Sequence, residues 1–226
     1  MMSGPEPLAV SPHARGVELT IRRAMPDDAL SCAQLLLMAA HGMAEAVFSD
    51  LVPGLSTEQI IASHRIEPEG RPSSHTNWWV VEGDHSDIAG GMNAYALREV
   101  FRPSREEVLT DERIRMLRPM IELNAEATGT FYINALAVFP EYRHAGFGRR
   151  LIALAVQGAR EAGMAAVSLT TFEDDRRLVS YYRKIGFAAV ASRPLQPHAR
   201  LQAKGNVILM KMPIDDGAAP SGSGPG

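Results

Sequence analysis

Arg143-His144-Ala145-Gly146-Phe147-Gly148 is the stretch of this chain best suited to hold an anion. It follows the apolar run Phe131–Phe139 and Pro140, and a helical pattern starts directly on its second glycine. A strand, a glycine-bearing turn and a helix N-terminus together make a seat for phosphate. Glycine lets the backbone come close, the first helical N–H groups lack intrahelical partners, and the helix dipole favours negative charge. Two common phosphate loops do not fit. A dinucleotide fingerprint needs a third glycine where Leu151 stands. A nucleoside-triphosphate loop needs Gly-Lys-Ser/Thr where the chain has Gly148-Arg149-Arg150. Alone, the turn suits the tight start of a packed helix equally well. Its conjunction with Tyr181-Tyr182-Arg183-Lys184-Ile185-Gly186-Phe187 further along is more specific.

The elements that must position these residues alternate along the chain. Val17–Arg23 reads as a strand, and Met25-Pro26-Asp27-Asp28 opens a helix whose apolar residues run through Leu35–Met38. A second helical stretch covers His41–Phe48, and a third follows Ser56-Thr57-Glu58-Gln59, the pattern of a capping box. Asn77–Val81 and Ile88–Leu97 read as neighbouring strands around Gly83-Asp84. Phe101–Gly129 is charged and helical in character. Ser104 caps one piece of it, and Ile114, Leu117 and Ile121 stripe another that Pro119 interrupts. The second half is cleaner. Strand Phe131–Phe139, helix Gly148–Ala162, strand Ala165–Thr171 and helix Asp174–Ile185 follow in turn. Strands Phe187–Ser192 and Val207–Met212, joined by the proline-broken loop Arg193–Gly205, close the chain. This order predicts a single α/β domain over residues 17–214, a mixed sheet with helices on both faces. Residues 1–16 and 215–226 read as flexible tails.

Composition sets the outer limits. A chain of 226 residues with 46% hydrophobic content can build one full-sized core. Its net charge of -3 argues against a nucleic-acid partner. The single cysteine, Cys32, cannot form an internal disulfide and reads as a small core residue of a reducing compartment. No apolar run reaches spanning length and no signal pattern opens the chain, so a soluble cytoplasmic protein without a membrane partner is expected. The seven histidines lack ligand spacing, which predicts no metal. Trp78 and Trp79 adjoin on a strand and must face opposite sides, one in the core and the other free to flank a ligand site.

Residues 131–187 resemble the cofactor-binding core of the GNAT superfamily, the acyl-CoA-dependent N-acyltransferases. Val138-x-Pro140-x-x-Arg143-x-x-Gly146-x-Gly148 resembles its pyrophosphate loop, and Tyr182-x-x-x-Gly186-Phe187 its later helix motif. Ile21-Arg22-Arg23-Ala24-x-x-x-Asp28 resembles the usual opening, and 101–129 is longer than the usual link. The resemblance implies a mostly antiparallel sheet flanked by helices, whose fourth strand splays from its neighbour. Acetyl-CoA is the implied co-substrate. Its pantetheine arm would lie as an added strand against Leu136, Ala137 and Val138. Its pyrophosphate would take N–H groups from His144, Ala145, Gly146, Phe147, Gly148 and Arg149, with charge from Arg143 and Arg149. Leu136 or Ala137 N–H would stabilise the oxyanion. Tyr182 resembles the tyrosine that protonates the departing sulfur, and packing alone would also account for an aromatic there.

Two positions depart from the family pattern. Asn134 stands where polyamine-acetylating relatives carry a glutamate base, and an amide orients an acceptor without taking its proton. Tyr132 shares its strand face. Glu45 and Asp50, where relatives shape the acceptor cleft, and Glu122 and Glu126 just upstream are the carboxylates able to attract an amine. Each alone reads as a solvated surface group. The second departure is Asp175, where an asparagine often holds the pantetheine region; aspartate lacks the amide donors. The expected partner is a small-molecule or peptide amine, and a homodimer stays open. The expected activity is N-acetyl transfer by direct attack in a ternary complex. Two alternatives stand beside it. One is a different donor, such as succinyl- or propionyl-CoA. The other is a catalytically silent acyl-CoA-binding or regulatory module.

Overall fold

A computed structural model describes residues 19–83, 87–99 and 110–214. Its strands are β1 (Thr20–Arg23), β2 (Trp78–Glu82), β3 (Ile88–Leu97), β4 (Thr130–Val138), β5 (Ala166–Phe172), β6 (Ala188–Pro194) and β7 (Asn206–Pro213). They form one sheet in the order β1-β2-β3-β4-β5-β7-β6. Every neighbouring pair is antiparallel except β4 and β5. The mixed, mostly antiparallel sheet is the architecture expected. The predicted tails, and the Ser104 cap, lie outside the described residues.

Helices cover both faces. On one, α5 (Phe147–Glu161) buries Leu151, Ile152, Ala155 and Ala159 against Met92, Ile133, Val167 and Leu169, and α6 (Arg176–Lys184) adds Val179 and Tyr182. On the other, α1 (Ala29–Ala39) buries Ala33, Leu35 and Leu37 against Trp78, Val80, Ala135 and Ala137. Beside α1 lie α2 (Met43–Phe48), α3 (Thr57–Ile61) and α4 (Asp111–Glu126), which extend the cover with Val47, Met116 and Leu123 over Tyr132, Val207 and Leu209. The two tryptophans divide as alternation requires. Trp78 is buried with α1 and donates Nε1–H to Ser73 O at 3.0 Å. Trp79 packs on the α5 face, edge-on to Phe131 and under Arg23.

Pro119 does not interrupt α4; the helix runs through it from Asp111 to Glu126. A proline inside a helix costs about 3 kcal/mol. Burying Met116 and Leu123 on the same helix returns about 1.5–3 kcal/mol each. Thr110 supplies the cap, its hydroxyl accepting from Arg113 N at 3.4 Å.

One irregularity in β4 sets up everything that follows. Against β3, Ala94 pairs with Ile133 but Asn93 pairs with Ala135, so Asn134 is an extra, bulged residue. A one-residue insertion flips the alternation of side chains. Phe131 and Ile133 accordingly pack on the α5 face, whereas Ala135 and Ala137 pack on the α1 face. On its other edge β4 pairs with β5 only through Phe131↔Val167, Tyr132↔Ser168 and Ile133↔Leu169. Beyond the bulge the two strands no longer pair.

Candidate functional site

Between the parted ends of β4 and β5 lies a cleft of about 760 Å³. One wall is β4 from Ile133 to Val138, and the other is β5 from Leu169 to Phe172 with α6 residues Leu178, Tyr181 and Tyr182. Its far end is the turn from Tyr142 to Arg149, and Met38, Ala39 and His41 close the α1 side. Leu136, Ala137 and Val138 keep their pairing with β3 and present their other backbone edge here.

The turn is built to expose amides. Gly146 takes φ 82° as the residue preceding α5, a left-handed conformation that suits glycine, and His144 shares that region at φ 66°. Arg149 and Arg150 N–H both turn back to Gly146 O, at 3.1 and 3.2 Å. No backbone N–H from His144 to Gly148 is spent on another described residue. His144, Gly146, Phe147, Gly148 and Arg149 line the cleft, while Ala145 sits in the same turn outside the lining. The Arg143 side chain folds back on the chain, donating from Nε to Val138 O at 3.0 Å and from Nη2 to Met38 Sδ at 3.5 Å.

At the near end, Tyr182 is buried, edge-on to Phe187 with ring centroids 5.6 Å apart, and lines the cleft. Burial pushes its phenol well above the ordinary tyrosine value, and the proximity of Tyr181 and Asp175 adds to the rise. It is therefore an acid that keeps its proton. Tyr181 is half-buried beside Gly148. Asp175 lines the cleft but commits Oδ1 to capping α6, accepting from Leu178 N at 2.9 Å.

A second, smaller cavity of about 180 Å³ meets the cleft at Ala39, Asn134 and Thr170–Phe172, which line both. Its walls include Leu36, Met43, Val47, Phe48, Leu117 and Met120, with Tyr132 behind them. Tyr132 bridges the parting strands, its hydroxyl 2.9 Å from Thr170 Oγ1, and burial pushes its phenol up to about 12. Arg65 also lines this cavity, and no carboxylate does among the described residues.

The four candidate carboxylates are placed elsewhere. Asp50 pairs with Arg200 at 3.0 Å, and Glu122 pairs with Arg193 at 2.9 Å. Glu126 pairs with the same arginine. Glu45 sits on α2 with Oε2 buried and unpartnered, and it lines neither cavity. No group of three or more metal-ligating side chains occurs among the described residues. The Cys32 thiol is buried in the α1 core, which pushes its pKa far up and leaves it unreactive.

Sequence reasoning passed over Asn93, the polar residue in the otherwise apolar run Ala89–Leu97. Fully buried, it donates from Nδ2 to Pro72 O at 3.1 Å and Asn77 O at 3.3 Å, and accepts from Asn134 Nδ2 at 2.9 Å. A lone amide amid strand apolars was the available signal. Asn124 was also missed; it lines the smaller cavity with Oδ1 buried and unpartnered.

The geometry has counterparts among known proteins. The model of the acetyltransferase (GNAT) family matches residues 45–187. Among solved structures, an N-acetyltransferase from Staphylococcus aureus Mu50 is similar at 18% identity with a TM-score of 0.60, over 85% of this chain and 100% of that one. A GCN5-related N-acetyltransferase from Kribbella flavida is similar at 19% identity and a TM-score of 0.53, over 90% and 100%. At these identities the likeness is one of fold. No curated protein matches the chain.

Proposed function

The chain belongs to the GNAT acetyltransferase family, and from that premise we propose that it moves an acetyl group from acetyl-CoA to a primary amine by direct attack in a ternary complex. The observation that carries the proposal is the edge of β4 beyond Ile133, unpaired toward β5 and open to a cleft with amide donors at one end and a second cavity at the other. Leu136, Ala137 and Val138 would receive the pantetheine arm as an added strand. The N–H groups of the 144–148 turn and the start of α5 would hold the pyrophosphate, with Arg149 adding charge. Arg143 would serve by bracing the end of β4, and Asp175 by capping α6 beside the arm.

Chemistry would take place where the cavities meet. The nitrogen–carbon bond forms, the carbon–sulfur bond breaks, the amine gives up one proton and the thiolate takes one from Tyr182. Leu136 or Ala137 N–H would stabilise the oxyanion in between. Tyr132 and Asn134 would border the acceptor, and Glu45 would act from α2 only through the wider field. An alkyl amine with a pKa near ~10.4 is neutral in only about one molecule in a thousand at pH 7.4. With no carboxylate among the described residues of the smaller cavity, solvent would accept the proton. The logarithm of kcat/KM should then rise with pH at a slope of about one between roughly pH 7 and 9, because the neutral fraction rises tenfold per unit.

Thiol release from acetyl-CoA across a panel of amines tests the reading. Amine-dependent release with an N-acetylated product supports it; faster release from succinyl- or propionyl-CoA reassigns the donor. The lack of a carboxylate among the described residues of the smaller cavity also favours a second reading, a catalytically silent acyl-CoA-binding module. Acetyl-CoA bound in calorimetry, with no turnover of any amine, would select that one.

A further inference from the structure

Asn93 fixes the orientation of a neighbouring amide. Its Nδ2 faces two carbonyl oxygens, Pro72 O and Asn77 O, at 3.1 and 3.3 Å. Only nitrogen can face a pair of acceptors, so Oδ1 must lie on the opposite side of the Asn93 amide. That oxygen receives Asn134 Nδ2 at 2.9 Å. Asn134 therefore turns its nitrogen toward Asn93 and its Oδ1 away, and Oδ1 bonds no described residue. Asn134 is the bulged residue of β4 and lines both cavities at their junction. A buried side chain with four neighbours' worth of hydrogen-bonding capacity thus holds an exposed carbonyl oxygen at the place where two ligands would meet.

The lining of the smaller cavity also holds a carbonyl oxygen that lacks a partner, though a buried one. Asn124 on α4 lines it, and its Oδ1 is buried without a partner. An unpaired buried carbonyl costs about as much as a lost hydrogen bond, so a ligand N–H there would be rewarded. A neutral primary amine has two N–H donors and one lone pair. Two carbonyl acceptors satisfy both donors and leave the lone pair for attack; an alcohol offers one donor.

We propose that Asn134 Oδ1, locked in place by Asn93, and Asn124 Oδ1 receive the N–H groups of the attacking nitrogen, and that the acceptor is a compact monoamine with an apolar body. The cavity has a volume of about 180 Å³ against about 760 Å³ for the cleft it meets, which favours a small acceptor. Its walls are mostly apolar, and no carboxylate among the described residues stands ready to pair with a second ammonium. The proposal rests on the acetyl-transfer reading. Asn134 would touch the substrate, and Asn93 is a positioning residue that acts through it.

The test compares isopentylamine with spermidine in the parent chain, Asn134→Ala, Asn93→Leu and the double variant, with acetyl-CoA affinity measured by calorimetry. The parent should prefer isopentylamine by about tenfold or more in kcat/KM. Each single variant should raise KM for isopentylamine about tenfold, the scale of one net hydrogen bond, with acetyl-CoA affinity unchanged. The double variant should match Asn134→Ala alone, because Asn93 has nothing left to aim. Additive losses, a parental KM in Asn134→Ala, or a preference for spermidine would overturn the proposal. Should Asn93→Leu not fold, Asn134→Ala and the substrate comparison still decide it. A parent that binds acetyl-CoA but turns over no amine overturns the acetyl-transfer reading and this proposal together, whereas an active parent with unmoved variants overturns this proposal alone.

Discussion

At the scale of single residues, Tyr182 is the acid of the proposed transfer. A phenol raised by burial stays protonated through the neutral and mildly alkaline range, so it can give a proton to a thiolate but cannot serve as a base there. Tyr182→Phe keeps the ring against Phe187 and removes only the proton. Turnover should fall about 10²-fold, the usual scale for a positioned acid, while acetyl-CoA affinity in calorimetry holds steady. Near-parental turnover would make the tyrosine a packing residue. The tyrosine was legible in sequence because a glycine and a phenylalanine sit at fixed distances behind it. Asn93 was not, since a buried polar side chain takes its meaning from partners that lie far away in the chain, at Pro72, Asn77 and Asn134.

At the scale of elements, the start of α5 and the start of α1 make separate demands. Gly146 has open space where a β-carbon would stand, so Gly146→Asp meets no clash and bears only the left-handed strain, about 1–2 kcal/mol. The variant should fold, with a carboxylate set at the proposed phosphate seat. Acetyl-CoA affinity should drop at least about tenfold by calorimetry, given like-charge repulsion on that site; equal affinity in the folded variant would remove the assignment. Ahead of α1, Arg22 joins Asp28 through two hydrogen bonds of 2.7 and 3.1 Å and reaches Glu82 on β2 at 2.8 Å. Burial alone would raise the Asp28 carboxyl, but the hydrogen bonds from Arg22 and from Met25 N–H outweigh it and hold the pKa low. Its stabilisation is therefore present above the unfolded value near ~3.9 and lost as pH falls through the lower folded one. Asp28→Ala should cost about 1–3 kcal/mol in urea unfolding at pH 7 and less at pH 3; an equal cost at both would disprove the ionic origin.

Across the whole molecule, the loop between β6 and β7 closes onto the α1–α2 corner. Gln202 N donates to His41 O at 2.9 Å, and Arg200 reaches Ser49 Oγ and Asp50. Gly42, at φ 88°, lies directly beneath: a β-carbon there would stand 2.0 Å from Arg200 O. Backbone on both sides leaves no rotamer to relieve that overlap. Gly42→Ala should destabilise by about 3 kcal/mol or more and lower Tm, whereas Gly54→Ala, also left-handed but with open space, should cost only about 1–2 kcal/mol. Equal Tm values for the two variants would show that the loop does not need this contact.

Local features that depend on neighbours in the chain were open to reading from residues alone. The glycine turn before α5, the helix that follows it, the strand alternation that separates Trp78 from Trp79, and the α/β order all arise from residues a few positions apart. Local periodicity and capping specify such features. Pro119 shows the limit, because its helix-breaking tendency is local but the burial of Met116 and Leu123 that overrides it is not. Tertiary structure alone decided the bulge at Asn134, since its extra residue exists only relative to β3, whereas the parting of β4 from β5 was already implied by the family resemblance. Likewise, Glu122 and Glu126 acquire their partner Arg193 only when β6 folds beside α4. Side-chain chemistry is written in sequence, but whether a group faces a ligand or a counter-ion depends on contacts between residues that only the folded sheet brings together.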